Sequence, residues 1–275
     1  MKYLVTGSNG QIGSTLMEKT RSSIGIDLRD ADIVQDISKK KVVENITKEK
    51  PDVVVHTAAM TDLDDAEENP ERAKKVNVVG TKNICEAAEN VGAHLIYIST
   101  DYVFDGKKGD YREKDETRPL SNYAQTKLEG ENVVRRSDTK STVIRTSVVF
   151  KENYDNFFTW AKSELEEKGE VGAITDQICC PTYAPNLSEF ILESAEEKIL
   201  GTYHVTGESK VSRYEAVQIM KEELGLSGKV VRTKMKDLPW SADRPENSSL
   251  SIAKSKRDFD TTSISISEAF NRMRE

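Results

Sequence analysis

A short apolar run, Tyr3-Leu4-Val5, passes at once into Gly7-Ser8-Asn9-Gly10-Gln11-Ile12-Gly13 and then into a helical run that reaches about Thr20. No other stretch restricts the fold as much. Glycines allow a tight turn and a close approach of backbone, and a helix that opens on such a turn offers unpaired N–H groups and the positive end of its dipole. A lone Gly-rich loop is weak evidence, but this one follows a strand, opens a helix and leads to a second short strand ending Gly25-Ile26-Asp27. That context suits a dinucleotide pyrophosphate, so Gly7, Asn9, Gly10, Gln11, Ile12 and Gly13 are expected to bind a cofactor. Asp27 stands 20 residues after Gly7, close to the spacing at which a carboxylate takes the adenosine ribose hydroxyls. A carboxylate there favours NADH, whereas Arg29 can answer the 2′-phosphate of NADPH; both cofactors stay open. Asp36-Ile37 falls where a loop can touch the adenine, and Asp36 fits a helix cap before Ser38 equally well.

The same alternation continues. Val53-Val54-Val55-His56 is a buried strand followed by Thr57-Ala58-Ala59, where small residues let backbone approach a ligand and place Ala58 and Ala59 at the cofactor. Leu95-Ile96-Tyr97-Ile98 and Thr142 to Phe150 read as further strands. Helical stretches are expected over about 38–48, from Asn69-Pro70-Glu71 to about Asn90, and from Tyr123 onward. Strands alternating with helices predict an α/β fold with a doubly wound parallel sheet, ligands binding beyond the carboxyl ends of its strands. Gly7, Ala58, Thr100 and Thr146 all follow strands and can meet in one crevice. Residues 1–150 are read as a dinucleotide-binding domain, to which segments around 170–200 can return. Residues 151–275 are read as a smaller, mainly substrate-binding part that roofs the crevice. Within it, helices are expected over about 156–168 and 184–196, strands over 171–175 and 201–205, and a capping box at Ser212-Arg213-Tyr214-Glu215 that opens a helix to Leu224.

The chemistry lies between Leu95 and Lys127. Tyr123 and Lys127 are four positions apart at the start of a helical pattern, so both side chains leave one face. An ammonium beside a phenol favours the phenolate and can bring its pKa toward neutrality. With the hydroxyl of Thr100 at a strand end, three groups can surround one carbonyl oxygen, a proton-donor site for ketone reduction. Such a Tyr–Lys pair also occurs on ordinary helices; the Gly-rich turn in the same half-chain favours a site. Asn77, in an otherwise apolar helical stretch, needs partners of its own.

With 40 Lys and Arg against 47 Asp and Glu, the 275-residue chain carries a net charge of −7, which argues against nucleic acid as a partner. No apolar segment has the length of a membrane span, and the chain enters its first strand without a signal-peptide core, so a cytoplasmic protein is expected. Cys85, Cys179 and Cys180 make no disulfide framework, and the scattered His56, His94 and His204 have no metal-ligand spacing, so no metal is assigned.

These motifs resemble the extended short-chain dehydrogenase/reductases and, among them, the dTDP-4-dehydrorhamnose reductase family. The resemblance covers nearly the whole chain. It rests on Gly7 to Gly13, Thr57-Ala58-Ala59, Ser99-Thr100-Asp101-Tyr102-Val103-Phe104-Asp105-Gly106, Tyr123 to Lys127, Arg145-Thr146-Ser147, Asp176-Gln177 with Pro181-Thr182, and Arg244-Pro245 with Asn247-Ser248. It implies a Rossmann fold and reduction of a dTDP-6-deoxy-hexulose, a nucleotide-sugar substrate, to dTDP-L-rhamnose. Thr100, Tyr123 and Lys127 would be catalytic, and Lys127 would also hold the nicotinamide ribose. Tyr102 would line the sugar pocket, and Arg244, Asn247 and Gln177 would serve the nucleotide-diphosphate end. A homodimer is consistent with the family. Arg145, at a strand end, equally suits a structural pair with a carboxylate. His56 stands where many relatives have Asn, Val148 where a Trp is common, and Cys179-Cys180 where smaller residues are usual. Two rivals share the fold: a sugar-nucleotide epimerase or dehydratase, and a non-catalytic regulatory subunit such as that of methionine adenosyltransferase.

Overall fold

In the computed structural model, which describes residues 1–274, the apolar runs become one parallel sheet. Its strands are β1 (Tyr3–Thr6), β2 (Ser23–Asp27), β3 (Ile33–Val34), β4 (Val53–His56), β5 (His94–Thr100), β6 (Ser141–Thr146) and β7 (Gly201–His204). They lie in the order β7-β6-β5-β4-β1-β2-β3. The chain runs outward from β1 to β3, then crosses back to β4. The loops after β1 and β4 therefore diverge, and the crevice opens at that switch point. Every residue of β5 is buried, which explains why its centre, Leu95 to Ile98, is an apolar run without alternation.

The helices that form the layers are α1 (Gln11–Lys19), α2 (Lys41–Glu49), α3 (Thr81–Val91), α4 (Asn122–Arg136), α5 (Phe157–Lys168), α6 (Ala184–Glu196) and α7 (Arg213–Glu223). Successive strand residues point to opposite faces. Leu4 joins Val42, Ile46, Ile84 and Val134 from α2, α3 and α4, whereas Val5 joins Leu16, Leu187 and Phe190 from α1 and α6. The doubly wound architecture is thus present. A third cluster, with Phe150, Phe158, Val217, Met220 and Phe270, joins α5 and α7 to a helix over Ile266–Arg272.

Several local features differ from the sequence reading. The helix expected from Ser38 begins at Lys41, because Asp36 turns the chain by accepting from Ser38 N at 2.8 Å and from Lys39 N at 3.1 Å. The long helix expected to Asn90 contains a π-helical turn over Lys75–Gly80. There the Asn77 side chain accepts from Met60 N at 2.8 Å and donates to Met60 O at 3.1 Å and Thr126 Oγ1 at 3.0 Å, anchoring the wide turn beside the start of α4. Lys229–Thr233 pairs in parallel with Glu170–Ile174, although its half-exposed, charged sequence gives little strand signal.

Candidate active site

At the switch point lies a cavity of about 1070 Å³. That is ample for a dinucleotide together with part of a second ligand. Its wall carries Gly7, Asn9, Gly10, Gln11, Ile12, Asp27, Arg29, Asp36, Ile37, Ala58 and Ala59, and at its other end Thr100, Tyr102, Tyr123 and Lys127. The strand-end residues expected to meet there do so. Gly13 lies beneath the wall, and Gln177, Arg244 and Asn247 lie behind it.

The turn after β1 is built for close approach. Gly7 has φ +71°, and a Cβ there would stand 2.8 Å from Ala58 N. A Cβ on Gly13 would stand 2.1 Å from Gly7 O, so this glycine packs α1 against the turn. No side chain caps α1 at Gly10, leaving its first-turn N–H groups for an anion. Asp27 accepts from Asn9 N at 2.9 Å and Leu28 N at 2.7 Å, and Asn9 Nδ2 donates to Arg29 O at 2.7 Å; the acid both faces the crevice and fixes the loop. Asp36 lines the crevice and also makes the cap-like turn before Ser38, so both readings of that residue have a structural counterpart. The hydroxyls of Ser38 and Thr146, on the same wall, are buried without partners among the described residues. Open amides, a ribose-distance carboxylate and orphaned hydroxyls together fit a dinucleotide. Gly13→Ala is expected to weaken NADPH binding at least tenfold and to cost about 1–3 kcal/mol of stability, measured by titration and denaturant unfolding; unchanged values for both would contradict the packing role of this glycine.

At the far end, β5 delivers Thr100 and the first turns of α4 deliver Tyr123 and Lys127. Thr100 Oγ1 accepts from Tyr102 N and donates to Asp101 Oδ1, both at 3.2 Å. Lys127 Nζ donates to Ile98 O at 2.8 Å and lies 4.2 Å from the centre of the Tyr97 ring. Burial lowers its pKa to about 7, against an opposing pull from Glu131. Burial also raises the pKa of the Tyr123 phenol strongly, and the Thr100 hydroxyl offsets only part of that. The expectation that lysine brings the phenol toward neutrality is therefore not met in this structure: the ammonium is directed to a carbonyl and a ring face. Tyr123 stands here as a protonated phenol. The Tyr102 ring meets it edge-on at 6.5 Å, and Gln177 Nε2 donates to Tyr102 Oη at 2.9 Å.

Behind the wall, two arginines are already paired. Arg145 is buried and donates Nε and Nη2 to the two oxygens of Glu131, each at 2.8 Å, which gives its structural reading a counterpart. Arg244 donates Nη2 to Asp64 at 2.8 Å and stacks 3.8 Å from the Trp240 ring centre. Asn247 pairs with Ile178 in an isolated bridge and packs under Gly109. His56 sits between Thr6 Oγ1 at 2.8 Å and Thr81 Oγ1 at 3.1 Å, and burial lowers its pKa to about 3, so it is neutral. Cys85, Cys179 and Cys180 are buried free thiols; burial pushes Cys179 up to about 12 and Cys180 up to about 11, which makes them unreactive.

Two residues escaped the sequence reading. Asp101 is buried on the crevice wall and accepts from Ser147 Oγ at 2.7 Å and Ser248 Oγ at 2.5 Å, joining three segments behind Thr100. Arg213, noted only as part of a capping box, also lines the crevice.

The family model described as RmlD substrate binding domain matches residues 1–275. The dTDP-4-dehydrorhamnose reductase of Aggregatibacter actinomycetemcomitans is 34% identical, over 94% of this chain and 93% of that protein. Among solved structures, a dTDP-4-dehydrorhamnose reductase from Clostridium acetobutylicum superposes with a TM-score of 0.93 at 32% identity, covering 100% of this chain and 98% of that one. The Bacillus anthracis reductase, solved in complex with NADP, superposes with a TM-score of 0.94 at 28% identity, covering 100% and 99%.

Proposed function

The chain belongs to the dTDP-4-dehydrorhamnose reductase family, and from that premise we propose that it reduces the 4-keto group of dTDP-6-deoxy-L-lyxo-4-hexulose to give dTDP-L-rhamnose, with NADH or NADPH as reductant. The observation that carries this reading is the placing of Thr100, Tyr123 and Lys127 in one crevice with the open N-terminus of α1. Gly7 to Ile12, Asp27, Arg29, Asp36, Ile37, Ala58 and Ala59 would hold the dinucleotide. Bound there, a dihydronicotinamide supplies the hydride that forms the new C–H bond at sugar C4.

The chain's own groups handle the oxygen. As the carbonyl gains electrons, negative charge develops on its oxygen, and the Tyr123 phenol passes its proton there, leaving a hydroxyl on the sugar and a phenolate on the enzyme. Burial keeps Tyr123 protonated until that charge appears. The Ile98 carbonyl takes one of the three N–H groups of Lys127; the other two would stabilise the phenolate from the same helix face and hold the nicotinamide ribose. Thr100 donates its hydroxyl hydrogen to the reacting oxygen, giving up one long bond to Asp101. Tyr102, oriented by Gln177, contacts the sugar. Arg244 reaches the diphosphate by exchanging Asp64 for phosphate, and Asn247 braces that loop. We assign 1–150 to the cofactor and 151–275 mainly to the substrate, with α6 and β7 returning to the main sheet while Glu170–Ile174 stays with Lys229–Thr233. No helix among the described residues is long and apolar enough to cross a membrane; a cytoplasmic setting suits a nucleotide-sugar substrate.

The direct test is oxidation of NADH and NADPH by the purified protein with enzymatically generated dTDP-6-deoxy-L-lyxo-4-hexulose. Formation of dTDP-L-rhamnose with stoichiometric cofactor consumption is expected; conversion of the sugar nucleotide to an isomer of the same oxidation level, with no net cofactor consumption, would identify an epimerase instead. Asp27→Ala is expected to shift the ratio of NADPH to NADH affinity about tenfold toward NADPH, since removing a carboxylate removes repulsion of a 2′-phosphate. A titration in which the ratio stays the same would remove Asp27 from cofactor selection.

A further inference from the structure

We propose that Arg213 binds the diphosphate of the nucleotide-sugar, an assignment that rests on the reductase reading above and adds a specificity-determining residue to it. Arg213 is the first residue of α7. Ser212 caps that helix by accepting from Glu215 N at 3.1 Å, while Glu215 accepts in return from Ser212 N at 2.8 Å. The nearest acid on its own helix is thus committed to the cap. Ser212 also pairs with Ile178 across a short antiparallel ladder, which sets Arg213 beside the Gln177–Tyr102 contact at the substrate end of the crevice.

The guanidinium has no carboxylate partner among the described residues. It lies over the Phe157 ring, 4.7 Å from its centre, and its Nη1 is buried without a hydrogen bond among the described residues. Asp155 lines the same crevice but makes no ion pair with it. By contrast, the buried Arg145 has Glu131 and the half-buried Arg244 has Asp64. A buried charged donor left unpaired is unfavourable, and an anion entering the crevice relieves it. A sugar hydroxyl would satisfy one N–H but leave the charge unanswered, whereas a phosphate answers both through the planar guanidinium fork. The cofactor's own pyrophosphate has the amides of α1. The remaining anion in the reaction is the diphosphate that links sugar and nucleoside. Stacking on Phe157 holds the plane in place before substrate arrives, so little side-chain freedom is lost on binding.

The test uses the protein saturated with NADP⁺, titrated calorimetrically with dTDP, UDP and GDP, and with thymidine as the uncharged control. Native protein is expected to bind dTDP. Arg213→Gln is expected to bind it roughly a hundredfold more weakly, and Arg213→Lys roughly tenfold, with thymidine and NADP⁺ affinities unchanged. In turnover, KM for the sugar nucleotide should rise far more than kcat falls. Retained NADP⁺ affinity identifies folded protein; should the Gln variant not fold, the Lys variant decides. Affinity for dTDP within twofold of native in a folded variant overturns the assignment, as does native protein that binds none of the three diphosphates. Binding of UDP or GDP in place of dTDP, weakened in the variant, supports Arg213 and overturns only the thymidine part of the substrate.

Discussion

Tyr123→Phe is expected to lower turnover by about 10²- to 10⁴-fold while leaving NADPH affinity within about threefold of native. The substitution removes one oxygen and keeps the ring, so the edge-on packing against Tyr102 at 6.5 Å survives. What is lost is the only phenol of α4 that faces the crevice and the proton it carries. Lys127 does not replace it, because its ammonium is held by the Ile98 carbonyl at 2.8 Å. Nor does Thr100, whose alkoxide would be a far poorer product of proton transfer than a phenolate. Single-turnover measurements with preformed enzyme–NADPH separate the chemical step from binding. A variant that reduces the sugar at the native rate would show that solvent, or another group, protonates the alkoxide.

Arg145→Met is expected to destabilise the fold by about 3–5 kcal/mol. Such a change is a large share of the roughly 5–15 kcal/mol that holds a typical native protein together. Glu131 is wholly buried, and besides Arg145 it accepts from Ser99 Oγ at 2.5 Å and from Arg135 at its more exposed edge. Burial alone would raise its pKa; Arg145, Ser99 and Arg135 more than offset that, and the carboxyl is held below its ordinary value. A group with a depressed folded pKa contributes stability above its unfolded pKa and loses that contribution as pH falls through the folded value. The difference between native and variant should therefore be greatest near neutral pH and shrink on acidification, when the stranded carboxylate takes up a proton. Adding Glu131→Gln to the variant should recover part of the loss, because the two sites are in contact and their effects do not add. Urea unfolding at two pH values measures all of this, and a loss below about 1 kcal/mol would show that the pair is replaceable. Because Ser99 precedes Thr100, the same network fixes the strand end that carries the Thr100 hydroxyl.

Much of the site was legible in the chain because its parts are local. The Gly7 to Gly13 turn between a strand and a helix, the Tyr123–Lys127 spacing on one helix face, and the small residues after Val55-His56 each express a rule about near neighbours. The capping box at Ser212 and Glu215 was likewise readable, since both its bonds span three residues. What Arg213 does beyond that box was not.

The sequence by itself determined the parallel, doubly wound layering and the meeting of Gly7, Ala58, Thr100 and Tyr123, because periodicity, turn chemistry and strand ends act over a few residues. The tertiary structure alone decided how the charges are shared. Arg145 and Glu131, 14 residues apart, meet across a strand and a helix, and Arg244 finds Asp64 across 180 residues. Arginines that look alike in sequence thus become a buried brace, an ion pair behind the wall and an unpaired guanidinium in the crevice. The reason is physical: a charge is satisfied by whatever acceptor folding brings within about 3 Å, and that depends on long-range packing that no local pattern encodes.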